Sequence, residues 1–140
     1  MKDSQAIESA LKSQGFKLTR VRLALINLFM ILRRPLSVLE IKTNLAKKGL
    51  SPNKTTVYRQ LAFLKNQGII VEINLADDNK RYEASWGNHH HHLVCIRCQT
   101  IQDVTLLHEL KQEEKRITKM SRFKILNHSL EFFGLCARCK

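Results

Sequence analysis

Apolar residues recur at helical spacing up to about residue 67, then give way to short extended runs. One helical pattern runs from Ser4 to Gln14 and stops at Gly15, a residue suited to the left-handed turn after a helix. A second follows Thr19, an N-cap residue type, and carries Leu23, Ile26 and Met30 on one face as far as Arg34-Pro35. The third opens with Ser37-Val38-Leu39-Glu40. Ser37 can accept the Glu40 amide while the Glu40 side chain reaches back, a capping box. That helix ends at Lys47-Lys48-Gly49, with cations at its negative pole. The fourth covers Asn53 to Gln67 and stops at Gly68. Two strands, Ile69 to Ile73 and Lys80 to Glu83, flank the turn residues Asp77-Asp78-Asn79. Helices followed by an antiparallel hairpin predict a winged helix-turn-helix.

The fourth helix divides cleanly by angle. At about 100° per residue, Val57, Leu61 and Leu64 fall within about 60° of one another and must face a core. Thr55, Tyr58, Arg59 and Ala62 occupy a separate sector. No acidic residue occurs from Asn53 to Gln67, although a helix meant only for solvent usually mixes Glu with Lys. An acid-free face can approach phosphates and base edges without repulsion, and an Arg on it can grip guanine in two places. The plainer alternative is a solvated basic helix.

Beyond Ser85 to Asn88 the layout changes. Strands at His92–Ile96 and Thr100–Val104, a helix from Leu106 to Lys119 and a strand from Phe123 to Phe133 are predicted. The domain reading is a winged helix over residues 1–84, a hinge over 85–89 and a second domain over 90–140. The fold class is α+β. About 50 residues cannot bury a full core alone, so the second domain needs a staple.

Charge sharpens the picture. The net charge is +12, with fourteen Lys/Arg against six Asp/Glu in residues 1–80 and ten against six in 81–140. The basic excess belongs to the first half, which suggests a polyanionic partner there. The longest apolar run, around Leu23 to Leu32, is interrupted by Asn27 and falls short of the ~18 residues a membrane span needs. With no secretory pattern at Met1-Lys2-Asp3-Ser4, a cytoplasmic protein without membrane contact is expected.

All four cysteines lie in the second half, as Cys95-x-x-Cys98 and Cys136-x-x-Cys139. Each pair can set two thiolates on one tight knuckle, and two knuckles complete a tetrahedral sulfur site for structural Zn2+. Two disulfides are the rival, disfavoured in a reducing compartment. Both pairs sit beside strands rather than at a helix start, unlike redox-active pairs. A saturated four-sulfur site leaves no position for water, so it is not catalytic.

The run His89-His90-His91-His92 enters the strand leading to Cys95. On an extended segment His90 and His92 point one way, His89 and His91 the other, so one segment can serve two imidazole-based metal sites. Glu83, Asp103 and Glu109 offer oxygen ligands nearby, and His128 another imidazole.

Together these residues resemble the ferric uptake regulator family of metal-dependent transcription factors. The matching stretches are Lys17-Leu18-Thr19-x-x-Arg22, Ser37-x-x-Glu40-Ile41, Thr55-Thr56-Val57-Tyr58-Arg59, Leu64-x-x-x-Gly68-Ile69 and the His89–Cys98 block. Phe123-Lys124-Ile125-x-Asn127-His128 and Gly134-Leu135-Cys136-x-x-Cys139 complete the set. The resemblance spans nearly the whole chain, in order. It implies a metal-responsive regulator, a repressor of metal-uptake or metal-homeostasis genes in the iron- or zinc-sensing branch. It also implies a homodimer, paired through a small α/β dimerisation domain, on a palindromic A/T-rich DNA operator. By family position Tyr58 and Arg59 read the major groove beside Thr55, Lys17 reaches the minor groove, and Thr19 and Arg22 hold phosphates. Cys95, Cys98, Cys136 and Cys139 are the structural zinc ligands. Glu83, His90, His92 and Asp103 form the regulatory hinge site for Fe2+ or Zn2+, and His89, His91 and His128 a second site in the dimerisation domain; the family's usual glutamate there has no exact register in this chain, and Glu109 is taken for it.

Two departures stand out. Many members place a further histidine ligand where this chain has Pro35, and His91 replaces an aspartate common in iron-sensing members. The extra imidazole shifts that site toward borderline metals such as zinc, cobalt or nickel. Two other functions stay open: a constitutive, zinc-stabilised DNA-binding protein without a switch, and a zinc hydrolase. The hydrolase needs an open metal position and a base, and the chain has no His-Glu-x-x-His signature.

Overall fold

The structure, a computed structural model, describes residues 2–74, 79–85, 90–108, 110–126 and 128–140. It comprises two units, the first ending at residue 87 and the second starting at residue 88.

In the first unit, α1 (Lys2–Ser13) closes at Gly15, whose φ of 82° lets the chain turn back under the helix. Helix α2 (Arg20–Leu32) starts where the Thr19 hydroxyl accepts the Arg22 amide at 3.2 Å. It stops at Arg33, held left-handed at φ 43° ahead of Arg34-Pro35, which cannot continue a helix. Between α2 and α3 (Val38–Lys47) lies a two-residue strand, β1 (Leu36–Ser37), that the apolar pattern does not announce. Both halves of the capping box form: the Glu40 amide donates to Ser37 Oγ at 3.2 Å, and the Ser37 amide to Glu40 Oε2 at 2.8 Å. Helix α4 (Lys54–Asn66) is capped by Asn53, whose Oδ1 accepts the Thr56 amide at 2.7 Å.

Strands β2 (Ile70–Asn74) and β3 (Lys80–Ala84) then pair antiparallel, and β1 joins on the far edge of β3 to give the order β1-β3-β2. Of the predicted turn, Asp77 and Asp78 lie outside the described residues. Leu25, Ile26, Phe29, Leu36, Ile41, Leu45, Val57, Leu61, Leu64 and Ile70 form a closed core beneath this winged helix. The helix-face assignment of Val57, Leu61 and Leu64 holds without exception, since all three are fully buried.

The second unit is a three-stranded sheet in the order β5-β4-β6, with β4 (His91–Cys95) in the middle. It pairs antiparallel with β5 (Ile101–Val104) and parallel with β6 (Glu131–Gly134). Two expectations shift here. The helix predicted from Leu106 begins at Lys111 and runs to Ser121 as α5, with Glu113 and Glu114 against its positive pole and a left-handed Arg122 ending it. The strand predicted from Phe123 forms only at Glu131–Gly134. Residues 122–126 have no neighbouring strand to pair with among the described residues, and Phe123 and Leu126 stay exposed. No described helix is long and apolar enough to cross a membrane.

Candidate metal centres and nucleic-acid interface

Each Cys-x-x-Cys pair folds as a tight knuckle. The Gln99 amide donates to the Cys95 carbonyl at 2.8 Å, and the Cys139 amide to that of Cys136 at 2.9 Å. Gln99 takes φ 58° to close the first. The parallel register Cys95↔Gly134 then sets one knuckle beside the other, and Arg97 reaches across to the Cys139 carbonyl at 2.9 Å. All four sulfurs lie within 4.8 Å of one another, with Cys98 and Cys136 at 3.7 Å. A tetrahedron of ~2.3 Å Zn–S bonds has edges of about 3.8 Å, so the sulfurs stand within about 1 Å of the spacing zinc needs. None of the four is in a disulfide. Backbone amides of Cys98 and Cys136 pull the Cys95 thiol down to about 6. Hydrogen bonding with Cys136 and burial push Cys139 up to about 12, which disfavours its thiolate in the absence of a cation. A divalent ion resolves that conflict.

The alternation is realised over His90 to His92. His90 and His92 share a face, with ring centroids 5.0 Å apart, and the register sets Asp103 opposite His92. Asp103 Oδ1 lies 4.0 Å from His90 Nε2 and 3.9 Å from His92 Nε2, separations that two metal bonds of about 2.0–2.2 Å can span. His91 faces the other way and meets His128, with centroids 5.4 Å apart. His128 Nδ1 is 2.6 Å from Glu114 Oε1. Glu114 is absent from the sequence-based ligand set. Its sole sequence signal is an acidic pair in a helix whose start the apolar pattern puts five residues too early. His89 and Glu109 lie outside the described residues. Glu83 sits on β3 of the first unit. The β1–β3 pairing Leu36↔Tyr82, continued one step, sets Pro35 level with it.

On the winged helix, Thr55, Tyr58, Arg59 and Ala62 are exposed on α4, opposite its buried stripe. Lys54 Nζ lies 5.8 Å from the Tyr58 ring centroid, adding a cation to that face. Lys17 is exposed in the segment before α2. Thr19 and Arg22 are turned inward: Thr19 caps α2, and Arg22 donates to Gln60 Oε1 and to the Lys17 carbonyl. Glu72 of β2 ties the wing to α4 through Lys65 at 3.0 Å and pairs across the hairpin with Lys80 of β3 at 3.1 Å.

A winged helix joined to a unit holding a four-cysteine cluster and a histidine–aspartate cluster defines a metal-binding regulator. The model of the ferric uptake regulator family matches residues 13–133, and the chain belongs to that family. The ferric uptake regulation protein of Legionella pneumophila is 29% identical over 141 aligned positions, covering 100% of both chains. That of Neisseria gonorrhoeae is 29% identical over 133, covering 93% of this chain and 90% of its own. The ferric uptake regulator of Francisella tularensis, solved with iron, superposes with a TM-score of 0.74 at 27% identity, covering 89% of this chain and 95% of that one. The Helicobacter pylori regulator, described with three functional metal-binding sites, superposes at 0.78 and 24% identity, covering 96% and 89%. Members of the family are metal-responsive transcription regulators rather than enzymes. The cofactors are a structural zinc on the four cysteines and a second, regulatory divalent metal.

Proposed function

We propose that this protein is a metal-switched, DNA-binding repressor of metal-homeostasis genes, acting as a homodimer on a palindromic A/T-rich operator. The observation that carries this reading is the division of α4: one stripe is locked into the core, while the exposed face has Thr55, Tyr58 and Arg59 and no carboxylate. Tyr58 and Arg59 would read base edges in the major groove, and Lys17 would enter the adjacent minor groove. Glu83, His90, His92 and Asp103 would hold the regulatory metal. His91 and His128, with His89, would hold another, completed by the carboxylate of Glu114 or Glu109. A divalent ion held by Glu83 together with the histidines and Asp103 would supply a cross-link between the winged helix and the second unit. Such a cross-link biases the spacing of two reading helices toward one operator geometry. Useful switching needs ~1–3 kcal/mol of coupling between metal and DNA.

The test is operator binding with and without added Fe2+ or Zn2+, for the parent protein and for a His90→Ala/His92→Ala variant. The parent is expected to bind about 5- to 150-fold more tightly with metal. The variant keeps the metal-free affinity and loses the gain. An equal gain in both would defeat the hinge site. A second reading has one specific observation in its favour: Pro35, with no donor atom on its side chain, directly precedes Leu36, whose partner Tyr82 adjoins Glu83. On that reading the protein binds DNA constitutively and its zinc is purely structural. Equal DNA affinity with and without metal in the parent would select it.

A further inference from the structure

The guanidinium of Arg22 is committed on three sides. Its Nε donates to Gln60 Oε1 of α4 at 2.9 Å, and a terminal nitrogen donates to the Lys17 carbonyl at 2.5 Å. Its central carbon lies 3.6 Å from the centroid of the Phe63 ring, also on α4. The Arg22 amide is taken as well, by the Thr19 hydroxyl. Burial lowers the Arg22 pKa from its ordinary value, consistent with a cation used internally. Phe63 is further fixed by Phe16, edge-on at 5.0 Å. Phe16, Lys17 and Thr19 therefore make a short bracket lying on α4, with Arg22 as its rivet.

We propose that Arg22 is a positioning residue, which fastens the Lys17 segment to α4 so that the minor-groove and major-groove contacts enter DNA as one rigid body. This rests on the DNA-binding reading above. The planar guanidinium suits the task because it can donate in two directions while stacking on an aromatic face, which a lysine ammonium cannot do. Preorganisation matters here because Lys17 precedes the first turn of α2 and has no regular structure of its own. Unfastened, it would have to be ordered at the moment of binding, at an entropic cost.

The test uses the full chain loaded with Zn2+ and a DNA duplex enriched by the parent protein from a random pool. Affinity is measured across a range of NaCl concentrations for the parent, Lys17→Ala, Arg22→Lys, Gln60→Leu and the double variant Lys17→Ala/Gln60→Leu. Lys17→Ala should flatten the dependence of log affinity on log salt by about one per half-site. Gln60→Leu removes no charge, yet it should flatten the slope similarly and weaken binding about tenfold. Arg22→Lys, which keeps the charge, should behave like Gln60→Leu, and the double variant should be no worse than either single one. Amide exchange at Lys17 and Leu18 should quicken in Gln60→Leu and Arg22→Lys, which reads the fastening without DNA. If Arg22→Lys matches the parent in affinity and slope, or Gln60→Leu leaves both and the exchange unchanged, Arg22 is no rivet and the proposal fails. A parent that enriches no duplex would instead defeat the DNA-binding reading, and this inference with it.

Discussion

Glu40 is a single carboxylate on which three parts of the winged helix meet. Its Oε2 closes the capping box of α3 and takes Arg81 of β3 at 2.7 Å, while Oε1 takes Arg34 at 2.9 Å. Partial burial works to raise its pKa, but the Ser37 amide, Arg34 and the Ser37 hydroxyl outweigh that and hold it below the ordinary carboxylate value. A depressed carboxylate stabilises the fold above the unfolded-state pKa, near 4.3, and that contribution disappears as pH falls through the lower folded value. Urea unfolding should therefore show stability falling below about pH 4.3, with a shallower fall in Glu40→Gln. Pro35 makes a second case at this scale. If Glu83 is a ligand, Pro35→His places an imidazole immediately before β1, next to the Leu36↔Tyr82 pair that adjoins Glu83. The labile metal should then bind about tenfold more tightly, or ~1.4 kcal/mol, as competition with a metal indicator dye would show.

Helix α4 carries its core stripe and its proposed reading face on opposite sides, and substitutions on the two should separate. Leu61→Ala opens a hole in the core and should cost about 2–5 kcal/mol of stability in chemical denaturation. Arg59→Ala should leave the melting temperature within a degree or two and cost ~1–3 kcal/mol on the operator, with a smaller operator-to-random-DNA ratio. This division was legible in the sequence because a 3.6-residue period names the buried face directly, and caps at Thr19 and Ser37 mark two of the helix starts. Other elements carry no such local mark. Strand β1 is two residues long and owes its existence to β3, more than 40 positions further along the chain, as the Ser37↔Arg81 pairing shows. Helix α5 has no side-chain cap, so nothing in the sequence separates Leu106 from Lys111 as its start. The same displacement hid Glu114, whose approach to His128 depends on where α5 begins. The histidine alternation was readable because strand periodicity is local. Its Asp103 partner was nearby in sequence, and the register of β4 and β5 made it a neighbour in space.

Across the whole molecule, the two units are stabilised by different means. The first closes a continuous apolar core. In the second, Val94 and Cys95 are the buried apolar residues among those described, so its fold should depend on its metal. A structural zinc contributes on the order of 10–16 kcal/mol to such small domains. Stripping it under reducing conditions should therefore abolish the amide-exchange protection of β4, β5 and β6 while α1 to α4 keep theirs. Loss of both together would show that the first unit does not stand without the second. The parallel seating of β6 beside β4 has a consequence for how the chain is made. Cys98 must wait for Cys136, 38 residues later, which a ribosome adding about 5–20 residues per second reaches roughly 2–8 s afterwards. For that interval a nascent chain carries α4 complete and two unattended thiols, so the proposed reading head is born before the part proposed to govern it.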